Sequence, residues 1–246
     1  MSMITVIGRG HGGTRAISHT LSESGVYMGA KLNSSGDLIP PGDMYEACRV
    51  IGQHVRWLGD LHWDFSHLFD GEIDPEFGRL VNSFLESVIA SKAGHKGWKL
   101  PETILALPWV QRMFPDIKYI HWVRDPRDSI IGSHVTDDLA DFNIEYPKTD
   151  DVRRRRAISW KYQYDLLKAT PRPKHWIKVR FEDFVLKQDE TLARLEDFLG
   201  MKLAKIPVRT EPIGRWKKDD GVNYFDFLEP AMKEHGYELS PSRNTQ

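Results

Sequence analysis

Met3-Ile4-Thr5-Val6-Ile7-Gly8-Arg9-Gly10-His11-Gly12-Gly13-Thr14-Arg15 is the stretch that decides the fold. Residues 3–7 are apolar and rich in β-branched side chains, the pattern of a buried strand. Four glycines follow within residues 8–13, and residues 14–24 then read as a helix. A glycine-rich turn leaves the backbone free to curl and expose its N–H groups. Between a strand and a helix, those groups form an anion cradle, and the helix N-terminus adds partial positive charge. Thr14 can add a hydroxyl, and His11 and Arg15 can add charge.

Gly8 and Gly13 have the spacing of a nucleotide-binding P-loop. Thr14-Arg15 nevertheless stands where lysine and then serine or threonine belong. The missing lysine removes the usual contact to β- and γ-phosphates, and the shifted hydroxyl weakens the case for magnesium. The loop therefore favours a phosphate ligand without ATP hydrolysis. A glycine-rich turn with no ligand is the competing reading.

Residues 118–123, Lys-Tyr-Ile-His-Trp-Val, predict a second buried strand, with Arg124 at its carboxyl end. A guanidinium there can donate two parallel hydrogen bonds to a phosphate, or it can pair with a nearby carboxylate. Asp125-Pro126 predicts a helix start, Asp125 as N-cap, running to about residue 135 with Ser129 and Ser133 on it. A third strand is read at 175–179, and further helices at 44–58, 76–93, 104–113, 152–169 and 183–199, the last closed by Gly200. Residues 32–43 and 137–149 read as loops and 240–246 as a frayed polar tail. Strands alternating with helices predict an α/β fold: a three-layer sandwich around a central, mainly parallel sheet. Ligands then sit at the carboxyl ends of the strands.

The chain of 246 residues fits a single domain, 1–246. Its net charge of -1 gives no global field to recruit nucleic acid. Arg153 to Arg156 read as a solvated helix face. Cys48 is the one cysteine, which excludes an intrachain disulfide and a multi-cysteine zinc site. No metal is expected. There is no signal-like start and no apolar run of about 18 residues, so the expectation is a cytoplasmic protein without a membrane span. Oligomeric state is left open.

These segments resemble the sulfotransferase family. Residues 7–17 are similar to its 5′-phosphosulfate loop, in particular that of the heparan-sulfate branch. Residues 114–128 resemble its 3′-phosphate motif, and Val179-Arg180-Phe181-Glu182-Asp183-Phe184 its Tyr-Glu-Asp-Leu segment. Gly214-Arg215-Trp216-Lys217-Lys218 resembles the loop that closes over the nucleotide, and Lys99-Leu100-Pro101 a Lys-x-Pro element. The resemblance implies a donor, 3′-phosphoadenosine 5′-phosphosulfate (PAPS), whose sulfuryl group passes to an acceptor hydroxyl, on a carbohydrate or glycolipid. It implies donor binding by Arg9, Gly10, His11, Gly12, Gly13, Thr14 and Arg15, by Arg124 and Ser133, and by Arg215, Trp216 and Lys217. Residues 30–95 become a largely helical acceptor-side region, while Glu182 and Asp183 organise the fold.

Two positions depart from the family pattern. His11 stands where lysine is usual, so its charge depends on pH. Gly132 stands where the phosphate-binding serine is usual; Ser133 follows it, and Ser129 is the fallback. His11 and Lys99 are expected to stabilise the transferring group. The general base is sought among His62, Asp64, His67 and Asp37, with His62 favoured because histidine is poised near neutral pH. Two other functions compete: a P-loop kinase of a small metabolite, and a nucleotide-binding relative without catalysis.

Overall fold

The computed structural model describes residues 2–239; the tail read as frayed lies outside them. In chain order, β1 (Ser2–Ile7), α1 (Thr14–Glu23) and α2 (Gly42–Gly52) lead to a hairpin of β2 (Arg56–Gly59) and β3 (His62–Asp64). Then come α3 (His67–Asp70), α4 (Pro75–Phe84), α5 (Glu86–Ala90), β4 (His95–Lys99) and α6 (Leu107–Met113). β5 (Lys118–Val123), α7 (Pro126–Ser129), α8 (Val152–Ala169) and β6 (His175–Arg180) follow, then α9 (Phe181–Leu186), α10 (Gln188–Leu199) and α11 (Glu229–His235).

Four strands form one sheet in the order β4-β1-β5-β6, every pair parallel. A parallel sheet needs cover on both faces. Alternate residues supply it. Ile4, Val6, Ile120 and Trp122 pack on one face with Ile17 and Leu21 of α1, Phe184 of α9 and Leu195 of α10. Tyr119 points to the other face, into a larger core with Met44, Ile51, Phe77, Trp98, Trp109 and Tyr162. This is the α/β layering expected. It sends the ends of β4, β1 and β5 to one rim, where Lys99, Gly8 and Arg124 emerge.

Several elements differ from the sequence reading. β4 is the edge strand that reading lacked; His95, Lys96 and Gly97 hide it by breaking the apolar run. The helix read at 44–58 stops at Gly52, and its end folds into the β2/β3 hairpin, so region 30–95 is not purely helical. The helix read at 76–93 is two, α4 and α5. The helix read from Pro126 stops at Ser129, and Lys187 separates α9 from α10. The arginine run is not a solvated face either. Arg153 pairs with Asp219 at 2.7 Å and Arg156 with Asp137 at 3.0 Å. Arg154 lies over the Phe227 ring. Among the described residues, no helix is long and apolar enough to cross a membrane.

Candidate active site

The loop after β1 is held open by what packs on it. Gly13 has φ +81° and ends against the Phe181 ring, where an added Cβ would come within 2.5 Å. Gly10 lies under the His134 ring, where a Cβ would stand 2.0 Å away. Only glycine fits either place. His11 sits in the left-handed region at φ +58°, a strained place for a residue with a Cβ. Gly13 is the N-cap of α1, which has no side-chain cap and no acidic residue in its first turn. Its leading N–H groups and positive dipole end are therefore left for an anion.

The loop's side chains divide by task. Arg9 is turned inward: Nη2 meets Asp137 at 2.6 Å, and Nη1 donates to the Ser129 carbonyl at 3.1 Å. It is a strut under the loop, which corrects its side chain's place among donor contacts. His11 Nε2 bonds the Ser133 carbonyl. Burial, with Arg9 and Arg124 nearby, lowers the His11 pKa, so the ring is neutral near pH 7. Arg15 reaches out to the Ser35 hydroxyl at 3.0 Å. Thr14 is buried at the helix start.

Arg124 donates from Nη1 to the His11 carbonyl at 2.8 Å and from Nη2 to the Pro212 carbonyl. Its Nε has no hydrogen-bond partner among the described residues. Asp128 lies 3.5 Å from Nη2 and accepts from the Gly214 and Trp216 backbone N–H groups at 2.7 and 3.0 Å. Arg124 and Asp128 thus clamp the 212–217 segment to the strand end. Arg215 is exposed and lies near enough to help lower the Arg124 pKa, after burial. Two neighbouring guanidinium groups repel each other, a condition that an anion relieves. Lys217 is exposed too. Trp216 is buried, with the Arg127 guanidinium 3.8 Å from its ring centroid, so its indole braces the segment from beneath.

Ser133 is exposed, and its carbonyl is what His11 grips. Ser129 is buried, and its hydroxyl donates back to the Asp125 carbonyl at 3.0 Å. That bond leaves Ser129 no hydroxyl proton for a ligand. Asp125 caps α7 as expected, accepting from the Arg127 N–H at 2.9 Å. Glu182 accepts from the Asp125 N–H and the Tyr237 hydroxyl, each at 3.0 Å.

Lys99 emerges at the end of β4 with its side chain 1% exposed. Nζ donates to the Ser35 carbonyl at 2.8 Å and pairs with Asp37 Oδ1. Burial lowers its pKa, while Asp37 works to raise it. Glu102 and His134 complete the cluster, 3.4 Å apart between Oε1 and Nε2. Neither was singled out in the sequence. The legible signal was an acid directly after the Lys-Leu-Pro turn, within an otherwise apolar segment. His62 is elsewhere: it stands exposed on β3, near Asp165 of α8, and is not gathered at the loop. Asp64 pairs with Arg56 at 2.7 Å, and its pKa falls to about 2, chiefly through the Ser66 N–H. His67 is exposed at the start of α3.

A family model described as the sulfotransferase family matches residues 41–205. A putative protein-tyrosine sulfotransferase of Caenorhabditis briggsae is 28% identical over 174 residues, covering 66% of this chain and 60% of that protein. Among solved structures, the sulfotransferase domain from the curacin biosynthetic pathway has a TM-score of 0.59 at 14% identity, covering 97% of this chain and 99% of that one. The sulfotransferase domain from the Synechococcus PCC 7002 olefin synthase gives 0.57 at 14% identity, covering 98% and 96%. At such identity the two structures speak for the fold alone.

Proposed function

Because the chain belongs to the sulfotransferase family, we propose that it transfers a sulfuryl group from PAPS to an acceptor hydroxyl. One observation carries this reading. Three strand ends bring an uncapped helix N-terminus, the paired cations Arg124 and Arg215, and the buried Lys99 to one rim. The donor has two phosphate-bearing ends and a sulfate between acceptor and leaving group, and this donor set fits it. Bound there, it supplies an activated sulfuryl group on a good leaving phosphate.

The chain's residues then have separable tasks. The Gly12 N–H is taken by the Arg9 carbonyl at 3.0 Å, and the N–H groups of residues 10, 11 and 13–15 hold the 5′ end by hydrogen bonds and the helix dipole. Arg215 and Lys217, both exposed, bring positive charge to the 3′-phosphate, and Arg124 anchors the segment that carries them. Ser133, exposed beside His11, offers the hydroxyl for that end, and Gly132 packs against the His11 ring. The one ring proton of neutral His11 is held on Nε2 by the Ser133 carbonyl, so this side chain ties the loop to that segment, and Lys99 adds charge where negative charge develops on the leaving oxygen. Asp37 and Tyr45, in region 30–95, border Lys99 and Glu102, which supports reading that region as the acceptor side.

The acceptor is a hydroxyl in either of two classes. The loop resembles that of carbohydrate-modifying relatives. The C. briggsae relative's name points instead to tyrosine. Incubation with PAPS labelled on sulfur, against tyrosyl peptides, oligosaccharides and glycolipids, tests both. The expected result is label in one class and release of adenosine 3′,5′-bisphosphate in equal amount. Phosphate transfer from Mg-ATP to any of these compounds, with no sulfate transfer, would establish the kinase reading instead.

A further inference from the structure

Among the described residues, β6 is an edge strand of the sheet, and it pairs with β5 so that Trp176 lies beside Tyr119 and Lys178 beside His121. Paired residues of a ladder point to one face. Trp176, Lys178 and His121 therefore share a face, and with the end of α8, the 170–173 turn and α11 they wall a groove of about 890 Å³. That is room for a small molecule.

The charge of this groove is lopsided. Lys168, Arg172, Lys178 and Arg194 line it, against one acid, Glu234. Glu234 is already engaged, accepting from Lys168 Nζ at 2.8 Å and from the Tyr164 hydroxyl at 2.6 Å. Among the described residues, no carboxylate pairs with Arg172, Lys178 or Arg194. Lys178 Nζ has instead the His235 Nδ1, at 3.4 Å. Burial, with Lys178 beside it, lowers the His235 pKa to about 4, so that ring is neutral and accepts. Unpaired cations gathered in a concavity focus a field that draws in an anion.

His121 adds a second, independent sign. It is only 7% exposed and borders the groove. Its ring touches Trp176 at 5.1 Å and His235 at 6.0 Å between centroids, and no described residue hydrogen-bonds it. A buried ring N–H without an acceptor is costly, and a ligand oxygen would relieve it. The rest of the wall is apolar: Leu107, Leu167, Pro171 and the half-buried Trp176. A bare inorganic ion would leave that wall uncovered.

The groove is separate from the donor rim. None of its lining residues belongs to the loop after β1, to Lys99 or to the 212–217 segment. Past His121 and His235 the space narrows to a cavity of about 30 Å³ that reaches Arg9 and Arg124, room for about two waters.

We propose that this groove is a second ligand site, for a small organic phosphate or sulfate ester. Its anionic head lies among Arg172, Lys178 and the His121 ring, and its ring body lies against Trp176. The site does not depend on the sulfotransferase reading.

Calorimetric titration of the full chain with phenyl phosphate, phenyl sulfate and inorganic phosphate tests it, each with adenosine 3′,5′-bisphosphate present to fill the rim. At least one phenyl ester should bind at a single site, about tenfold or more tighter than inorganic phosphate; which ester does so identifies the head group. Arg172→Ala and Lys178→Met should each weaken that binding about tenfold, and Trp176→Leu should remove the preference over inorganic phosphate. Arg215→Ala, at the rim, should leave it within about twofold. Arg172 is exposed on a turn, so its variant should melt as the native protein does. Ester binding that Arg172→Ala and Lys178→Met both leave unchanged overturns the site. So does the failure of both esters to bind the native protein at millimolar concentration.

Discussion

Lys99 and Arg9 are both buried cations beside the same loop, and they answer to different needs. Arg9 faces Asp137, which Arg156 also grips, so the trio is a structural network. Lys99 faces the rim, and its partner Asp37 belongs to a surface turn. Arg9→Ala should cost about 3 kcal/mol of stability by leaving Asp137 under-compensated, read by urea denaturation. Lys99→Met should leave bisphosphate affinity nearly native and lower turnover by roughly 100-fold or more, as removal of one transition-state donor does. The sequence distinguishes these two poorly. Lys99 is legible from its Lys-Leu-Pro turn, whereas Arg9 sits among ligand-like glycines and looks like a ligand residue. Its true partner lies 128 residues away. Asp37 is a base candidate in the sequence, but its pairing with Lys99, 62 residues away, is hidden for the same reason. His62 was favoured on chemical type, and type does not report position; it lies on a hairpin that the helical pattern of residues 44–58 concealed.

At the scale of elements, β1, its loop and α1 were readable because each obeys a local rule. β5 and the Asp125 cap were readable on the same grounds. β4 was not, since His95, Lys96 and Gly97 carry no apolar alternation. It becomes a strand through pairing with β1, residue by residue from Ser2–His95 to Val6–Lys99. The early end of α7 also has a non-local cause: Asp128 is drawn to the Gly214 and Trp216 N–H groups. Two variants separate the loop from the clamp. Gly13→Ala must hold φ +81° and meet the Phe181 ring, so it should lose about 1–3 kcal/mol of stability in thermal melts. Asp128→Asn frees the segment carrying Arg215 and Lys217. It should weaken bisphosphate binding by roughly tenfold by calorimetry, with AMP binding little changed.

Over the whole molecule, the balance of buried titratable groups sets the pH response. Burial, with neighbouring cations, lowers the pKa of His121 and His134 to about 3 and of His235 to about 4. These folded values lie below the unfolded one, so the unfolded chain takes up protons first as pH falls. Each histidine should therefore cost about 2 kcal/mol between pH 7 and 5. Glu102 acts in the opposite sense. Its folded pKa is raised to about 7, so its neutral form favours folding at low pH and that contribution is lost as pH rises. Glu102→Gln should accordingly increase the stability gained from pH 5 to 7 by about 2 kcal/mol, measured by denaturation at both values. A net charge of -1 gives no warning of this internal balance, nor of the cations gathered at the rim.

The central claim is that this rim binds the two phosphates of the sulfuryl donor. Calorimetric titration of the native protein with adenosine 3′,5′-bisphosphate, AMP and Mg-ATP tests it most directly. The account predicts that the bisphosphate binds at least about tenfold tighter than AMP, the value of one charge-assisted phosphate contact, and that Arg215→Ala removes most of that preference. Equal affinity for the bisphosphate and AMP, or tighter binding of Mg-ATP, would contradict it.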